Sequence, residues 1–259
     1  MILMEHLLNG NIQEYNFIPA LNMTSDLFWK EVGMLAENNN MDNVLAYMYL
    51  MLKKAEANNM SITKSAFYEY GKNISFYDGV IKWFDRINEY GKSLGLNIHH
   101  YVISSGIKEM IEGTEIANKF DKVYACSYMY NIDNIAKWPA LCVNYTNKTQ
   151  FLFRINKGVL DVYDPKVNDY MKEEEKSIPF TNMIYLGDGE TDIPCMKLVK
   201  NFGGKSIAVY DSVNRKKVAE KMHQDGRINF YSEADYRDGE KLDVFVKESI
   251  KQIADRLED

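Results

Sequence analysis

The stretch Met183-Ile184-Tyr185-Leu186-Gly187-Asp188-Gly189-Glu190-Thr191-Asp192-Ile193-Pro194-Cys195-Met196-Lys197 decides the fold of this chain. Its apolar run at 183–186 predicts a buried parallel strand, and the apolar residues at 193–199 recur with the period of a packed helix. The two glycines let the backbone turn tightly between them, and Pro194 suits the first turn of a helix. We therefore predict a strand, a sharp turn and a helix, with the acidic residues in the turn.

The acidic turn predicts a site for a hard cation. Ligands of an open α/β sheet collect at the carboxyl ends of its strands, where Asp188 and Asp192 would stand. Mg²⁺ takes oxygen ligands and is usually held by one or two protein carboxylates. The alternative, in which Thr191 or Asp192 simply caps the helix, stays open at this point.

Composition narrows the class of protein. The 259 residues are 46% hydrophobic and 26% charged, as in ordinary globular proteins. The net charge of −6 argues against nucleic acid as the main partner, and we find no apolar run long enough to span a membrane. The three cysteines and four histidines lack metal-ligand spacing. The opening residues resemble no signal peptide, so we expect a cytoplasmic protein with reduced cysteines.

The order of elements predicts two units. Residues 24–72 contain three helical patterns and no strand pattern, whereas strands and helices alternate from residue 74 onward. Alternation of this kind predicts a doubly wound parallel sheet with helices on both faces. We assign residues 1–22 and 73–259 to this α/β core. Residues 23–72 form an inserted helical cap over the carboxyl edge of the sheet.

Two further positions bear on chemistry. Ser104-Ser105-Gly106 ends a strand predicted at 97–104, immediately before a helix predicted at 107–120. These residues suit either an anion at the helix N-terminus or an ordinary cap. Lys148 begins a helix predicted at 146–156, where a cation is unfavourable to the helix dipole. The charged side chain of Lys148 would either bind a phosphate or face solvent.

Taken together, these motifs resemble those of the haloacid dehalogenase (HAD) superfamily of phosphohydrolases, specifically the branch similar to phosphoserine phosphatase with a helical cap. The resemblance rests on four segments: Tyr101-Val102-Ile103-Ser104-Ser105-Gly106, Lys148, Gly187-Asp188-Gly189-Glu190-Thr191-Asp192, and the segment Phe76-Tyr77-Asp78-Gly79-Val80 that re-enters the core.

The resemblance implies a small phosphorylated molecule as partner and Mg²⁺ as cofactor. Ser104, Ser105, Gly106 and Lys148 would contact the substrate, and among them Ser104 and Lys148 would hold the phosphoryl oxygens. Asp188 would bind Mg²⁺, and Asp192 would orient Lys148 or a metal-bound water. In the family, a strand-end aspartate attacks phosphorus and a second aspartate serves as acid and base.

The family's first motif, Asp-x-Asp-x-Thr-Leu, is absent from this sequence. An ungapped pairing puts Ile2, Met4 and His6 in place of the aspartates and the threonine, and a shifted one offers Glu5 as nucleophile but Leu7 as acid. Either the chain as given lacks the true beginning, or the protein has lost hydrolysis and keeps its pocket. We expect an inactive or impaired Mg²⁺-dependent phosphomonoester hydrolase whose substrate class is a small metabolite. The alternatives are a non-catalytic phosphate-binding or metal-binding regulatory module and an unrelated doubly wound domain such as a nucleotide binder.

Overall fold

The computed structural model describes residues 2–4, 7–188 and 190–258. Within them, seven strands form one sheet in the order β4-β3-β2-β1-β5-β6-β7. The strands are β1 Ile2–Met4, β2 His100–Ile107, β3 Lys122–Tyr130, β4 Ala136–Leu141, β5 Ile184–Gly187, β6 Lys205–Tyr210 and β7 Phe230–Glu233. Neighbouring strands run parallel except β4, which is antiparallel to β3. The predicted α/β class is confirmed.

Ten α-helices accompany these strands in the described part of the chain. They are α1 Phe17–Ala20, α2 Ser25–Asn39, α3 Asn43–Ala57, α4 Lys64–Tyr70, α5 Val80–Ser93, α6 Lys108–Glu112, α7 Lys148–Lys157, α8 Ile193–Asn201, α9 Val213–Gln224 and α10 Lys241–Glu258.

The sheet has a hydrophobic cluster on each face, as a doubly wound fold requires. One cluster joins Ile184 and Ile207 of the sheet to α5 and α10. The other joins Tyr101 and Tyr185 to α7, α8 and the helices of the first 72 residues. The central strands are therefore covered on both sides, which explains their continuous apolar runs.

The three helices of the cap segment begin at side-chain caps. The Thr24 hydroxyl accepts from Leu27 N at 3.3 Å, and the Thr63 hydroxyl accepts from Ala66 N at 3.2 Å. Asp42 accepts from two amides at the start of α3. A polar oxygen at this position satisfies amides that lack an intrahelical partner. The predicted helices at the start of the chain are confirmed.

The cap helices pack against the β3–β4 side of the core. Tyr128 OH on β3 donates to the Met48 carbonyl of α3 at 2.8 Å, and Asn144 Nδ2 donates to Asp42 Oδ2 at 2.6 Å. Helices and sheet share one buried cluster on this side. The division into core and cap at residues 23–72 stays a prediction.

The structure differs from the predicted elements around β2 and β4. Strand β2 begins later than predicted and continues through Ser104 to Ile107, and the helix predicted at 107–120 is only the five residues of α6. Strand β4 covers 136–141 rather than 140–143 and runs antiparallel at the edge. Its Pro139, which has no amide proton, suits an edge strand. None of the described helices combines the length and the apolar character that a membrane crossing needs.

Candidate active site

The carboxyl ends of β2 and β5 bring two predicted site residues to one edge of the sheet. Met4 of β1 pairs with Val102 of β2 on one side and with Leu186 of β5 on the other. Ser104 and Asp188 each lie two residues beyond this level, at the ends of the two strands that flank β1. Both side chains line one cavity of about 220 Å³.

A buried ion pair lies beside this edge. Lys148 Nζ is 3.1 Å from Asp192 Oδ1, and both side chains are 0% exposed. Lys148 Nζ also lies 3.5 Å from the Thr191 hydroxyl, and Thr191 lines the cavity. Of the two roles left open by the sequence, the solvent-facing one is therefore wrong. A lysine in the first turn of a helix is unfavourable to the helix dipole, and the negative charge of Asp192 offsets this for Lys148.

Asp192 is held in place by protein donors on both oxygens. Tyr185 OH donates to Oδ1 at 2.8 Å, and Asp188 N donates to Oδ2 at 3.2 Å. A Cβ at Gly187 would lie 2.5 Å from Asp192 Oδ2, so the strand must end in glycine for this approach. Asp192 precedes α8 but its side chain makes no cap hydrogen bond. The geometry favours the positioning of Lys148, and a metal-ligand role for Asp192 stays a prediction.

The serine segment forms a bulge in β2 instead of a helix start. The register with β3 shifts between Ser104 and Ile107, and α6 begins only at Lys108. The segment is therefore neither a helix N-terminus nor a helix cap, and contact of Ser104, Ser105 and Gly106 with the substrate stays a prediction. Gly106 N donates to Ser104 Oγ at 3.0 Å, which leaves the serine proton to point at an acceptor. The Ser105 carbonyl accepts from Tyr47 OH of the cap, and all three residues of the bulge line the cavity.

An acidic and basic cluster that the sequence analysis missed adjoins Asp188. Arg215 Nη1 of α9 is 3.2 Å from Asp188 Oδ2 and 3.6 Å from Asp211 Oδ2. Tyr77 OH donates to Asp211 Oδ2 at 2.7 Å. Burial and this carboxylate raise the pKa of Tyr77, so the phenol stays protonated as a donor. Asp211 directly follows β6, so the strand-end rule that found Asp188 would also have found it.

The register also tests where the missing first motif would lie. Ile2 pairs with His100 and Ile184, four residues before Ser104 and Asp188. Four residues of strand span about 13 Å, so the ungapped pairing that puts Ile2 in the nucleophile position is wrong. His6 of this pairing and Glu5, which the shifted pairing offers as nucleophile, lie outside the described residues.

The donor set around the cavity fits a Mg²⁺ site only in part. Asp188 is the described carboxylate that lines the cavity, and no group of three His, Cys, Asp or Glu side chains occurs in the described part of the chain. Mg²⁺ commonly binds one or two carboxylates together with phosphate oxygens and waters. Asp188 with a phosphorylated ligand meets that minimum, while Arg215 competes for the same carboxylate.

No protein-family model matches this chain. An uncharacterized protein of Borreliella burgdorferi is 29% identical over 271 residues, covering 94% of this chain and 93% of that protein. A HAD family hydrolase from Salmonella enterica serovar Typhi has a similar structure, with a TM-score of 0.52 and 16% identity. That match covers 83% of this chain and 63% of the Salmonella chain. A HAD-superfamily hydrolase from Ehrlichia chaffeensis matches with a TM-score of 0.35 and 14% identity over 86% of this chain and 95% of that one.

The fold is therefore similar to that of the Salmonella HAD family hydrolase, and in this chain helices α1 to α5 follow the first strand of the doubly wound α/β sheet. The assignment to the branch similar to phosphoserine phosphatase stays a prediction.

Proposed function

We propose that this chain binds a small phosphorylated molecule at the carboxyl edge of its sheet, on a phosphohydrolase site whose hydrolysis is impaired. The observation that carries the proposal is the meeting of Ser104, Asp188 and the Lys148–Asp192 pair at one edge, from three distant parts of the sequence. A hydroxyl donor and a buried ammonium beside one cavity are suited to phosphoryl oxygens.

The proposed roles follow from these contacts. Ser104 donates a hydrogen bond from its hydroxyl to a phosphoryl oxygen, and the buried Lys148 supplies positive charge beside the carboxyl edge of the sheet. Asp192 holds Lys148 in one orientation through its fixed oxygens. Asp188 is the residue that would hold Mg²⁺, which would neutralise phosphate charge when bound. Ser105 lines the cavity beside Ser104, whereas the Gly106 amide is already engaged by the serine hydroxyl.

Hydrolysis in this family needs a nucleophilic aspartate that the sequence lacks. The motif Asp-x-Asp-x-Thr-Leu, which would supply it, does not occur in the sequence. A non-catalytic phosphate-binding module is therefore the second candidate. The two candidate functions use the same pocket and differ only in whether the protein hydrolyses the bound phosphate ester.

We expect negligible turnover of p-nitrophenyl phosphate by this chain in the presence of Mg²⁺, together with measurable binding of inorganic phosphate. Loss of the nucleophile removes covalent catalysis but leaves the groups that bind the anion. Nitrophenol release and isothermal titration calorimetry with phosphate are the measurements. Steady turnover that Asp188→Asn abolishes would contradict the impairment, and absence of phosphate binding would contradict the proposed site.

Arg215→Ala is expected to raise the affinity of the protein for Mg²⁺ roughly tenfold, since it removes a cation that lies against Asp188 and repels a second one. Calorimetric titration with MgCl₂ alone measures the change. Arg227→Ala is the matched control, because this exposed arginine pairs with Asp225 and its removal changes the net charge equally. Equal Mg²⁺ affinity in both variants would show that Asp188 is not the metal ligand.

A further inference from the structure

Two of the three cysteines lie opposite each other where β3 meets the edge strand β4. The antiparallel register pairs Ser127 with Leu141, and its continuation by one residue places Cys126 against Cys142. Cα atoms of directly opposed residues in such a pair lie about 4.5–5.5 Å apart, within the span of about 4.4–6.8 Å that a disulfide bridges. The register therefore gives the two backbones a separation suited to a covalent bond between the side chains.

The two side chains meet on the face of β3 that carries the cap. The Cys142 thiol donates a hydrogen bond to the Cys126 sulfur. Val143 N, directly after Cys142 in the chain, donates to Cys126 Sγ at 3.2 Å. Cys142 Sγ also lies 3.6 Å from Oδ1 of Asp42, the residue that caps α3. Both sulfurs thus belong to one cluster of contacts between the edge of the sheet and the cap.

One of these sulfurs is accessible and the other ionises readily. Cys142 is half-buried, whereas Cys126 is 0% exposed. The hydrogen bond from Cys142 lowers the pKa of Cys126 against the effect of its burial, and the positive charge of Lys148 acts in the same direction. The third cysteine, Cys195 on α8, is 0% exposed and serves as a buried reference thiol. An oxidant therefore reaches the pair through Cys142, and Cys126 supplies the thiolate that completes a bond.

We propose that Cys126 and Cys142 form a redox-modification site, at which a peroxide converts the two thiols into an intrachain disulfide. The Cys142 sulfur first attacks a peroxide oxygen: an S–O bond forms, the O–O bond breaks, and the departing hydroxide takes the thiol proton to become water. The Cys126 thiolate then attacks the Cys142 sulfur, so that an S–S bond forms and the S–O bond breaks. The second hydroxide takes up a proton. Both sulfurs are thereby oxidised, and the peroxide is reduced to water.

The disulfide would join the edge of the sheet covalently to its neighbour. It would close a loop over residues 127–141, which includes the whole of β4, on the side where α3 packs. A covalent bond between residues that already touch restrains the unfolded chain more than the folded one. Oxidation is therefore expected to stabilise the protein, whether or not the candidate cavity binds phosphate.

Peptide mapping of the full chain after peroxide treatment tests the site. The reduced protein, freed of reductant, is treated with hydrogen peroxide, alkylated with N-ethylmaleimide in urea and digested with trypsin. Cleavage at Lys137 separates the two cysteines into different peptides, 123–137 and 138–148. These two peptides are expected to appear joined, and the alkylatable thiols should fall from three to one per chain. Dithiothreitol should restore all of them.

Cys195→Ser is the matched control and should give the same joined peptides, whereas Cys142→Ser should lose them. The urea midpoint of the unaltered protein should rise on oxidation, and that of Cys142→Ser should stay unchanged. Joined peptides that contain Cys195, or a disulfide between two chains through Cys142, would overturn the proposal. Thiols that resist peroxide, or that are oxidised without any joined peptides, would do the same. So would a lower urea midpoint of the oxidised protein, because the bond would then not fit the native fold.

Discussion

Lys148→Met is expected to abolish phosphate binding and to lower the free energy of unfolding by about 3–5 kcal/mol, the usual effect of breaking a buried ion pair. Both members of the pair are 0% exposed, so the substitution leaves Asp192 charged and without its cation in the protein interior. Tyr185 OH and Asp188 N still donate to the carboxylate, but neither brings a positive charge. Urea unfolding and phosphate calorimetry measure the two effects.

The double variant Lys148→Met with Asp192→Asn separates stability from binding. Removing both charges is expected to recover much of the lost stability, because no buried charge remains without its partner. Phosphate binding should stay absent, since the ammonium is gone. Lys197→Met on the exposed side of α8 changes the net charge as the single Lys148→Met variant does and is its control, and its unfolding free energy should stay within about 0.5 kcal/mol. Phosphate affinity that survives in the double variant would remove Lys148 from the site.

Lys148 could be recognised from the sequence because a positive charge in the first turn of a helix is unfavourable to the helix dipole, which indicates another role for that charge. Asp188 and Ser104 were found because strand ends gather at one edge of a parallel sheet. The same rule applied to β6 would have found Asp211. Each of these residues can be recognised from its place at a predicted strand end or helix start, which depends only on its neighbours in the sequence.

Other parts of the site lack such a signal. Gln13, which lines the cavity, lies on a single 3-10 turn, where no periodic pattern distinguishes a buried side chain from an exposed one. Arg215 reaches Asp188 from a helix that follows a different strand, a contact that depends on side-chain direction. The antiparallel course of β4 was missed because residue alternation does not reveal strand direction. These features follow from packing between segments distant in sequence.

Gly71→Ala is expected to destabilise the protein by about 2–3 kcal/mol, as overpacking against backbone usually does. Gly71 ends α4 of the cap, and a Cβ there would lie 1.8 Å from the Met110 carbonyl oxygen of α6. The contact is reciprocal, because a Cβ at Gly113, which ends α6, would lie 2.0 Å from the Tyr68 carbonyl oxygen of α4. Gly113→Ala should therefore have a similar effect, measured by urea unfolding.

Gly33→Ala in α2 is the matched control, because a Cβ at that exposed position meets no atom within 4 Å. The alanine should stabilise the protein by about 0.5–1 kcal/mol through its better helix propensity. Because α6 also carries Ile111 of the cavity wall, the glycine contact fixes the cap to the wall of the candidate site. Faster hydrogen exchange at the α4 amides of Gly71→Ala would show this attachment loosening. Stability and exchange equal to those of the unaltered protein would mean that cap and core are not held together at this contact.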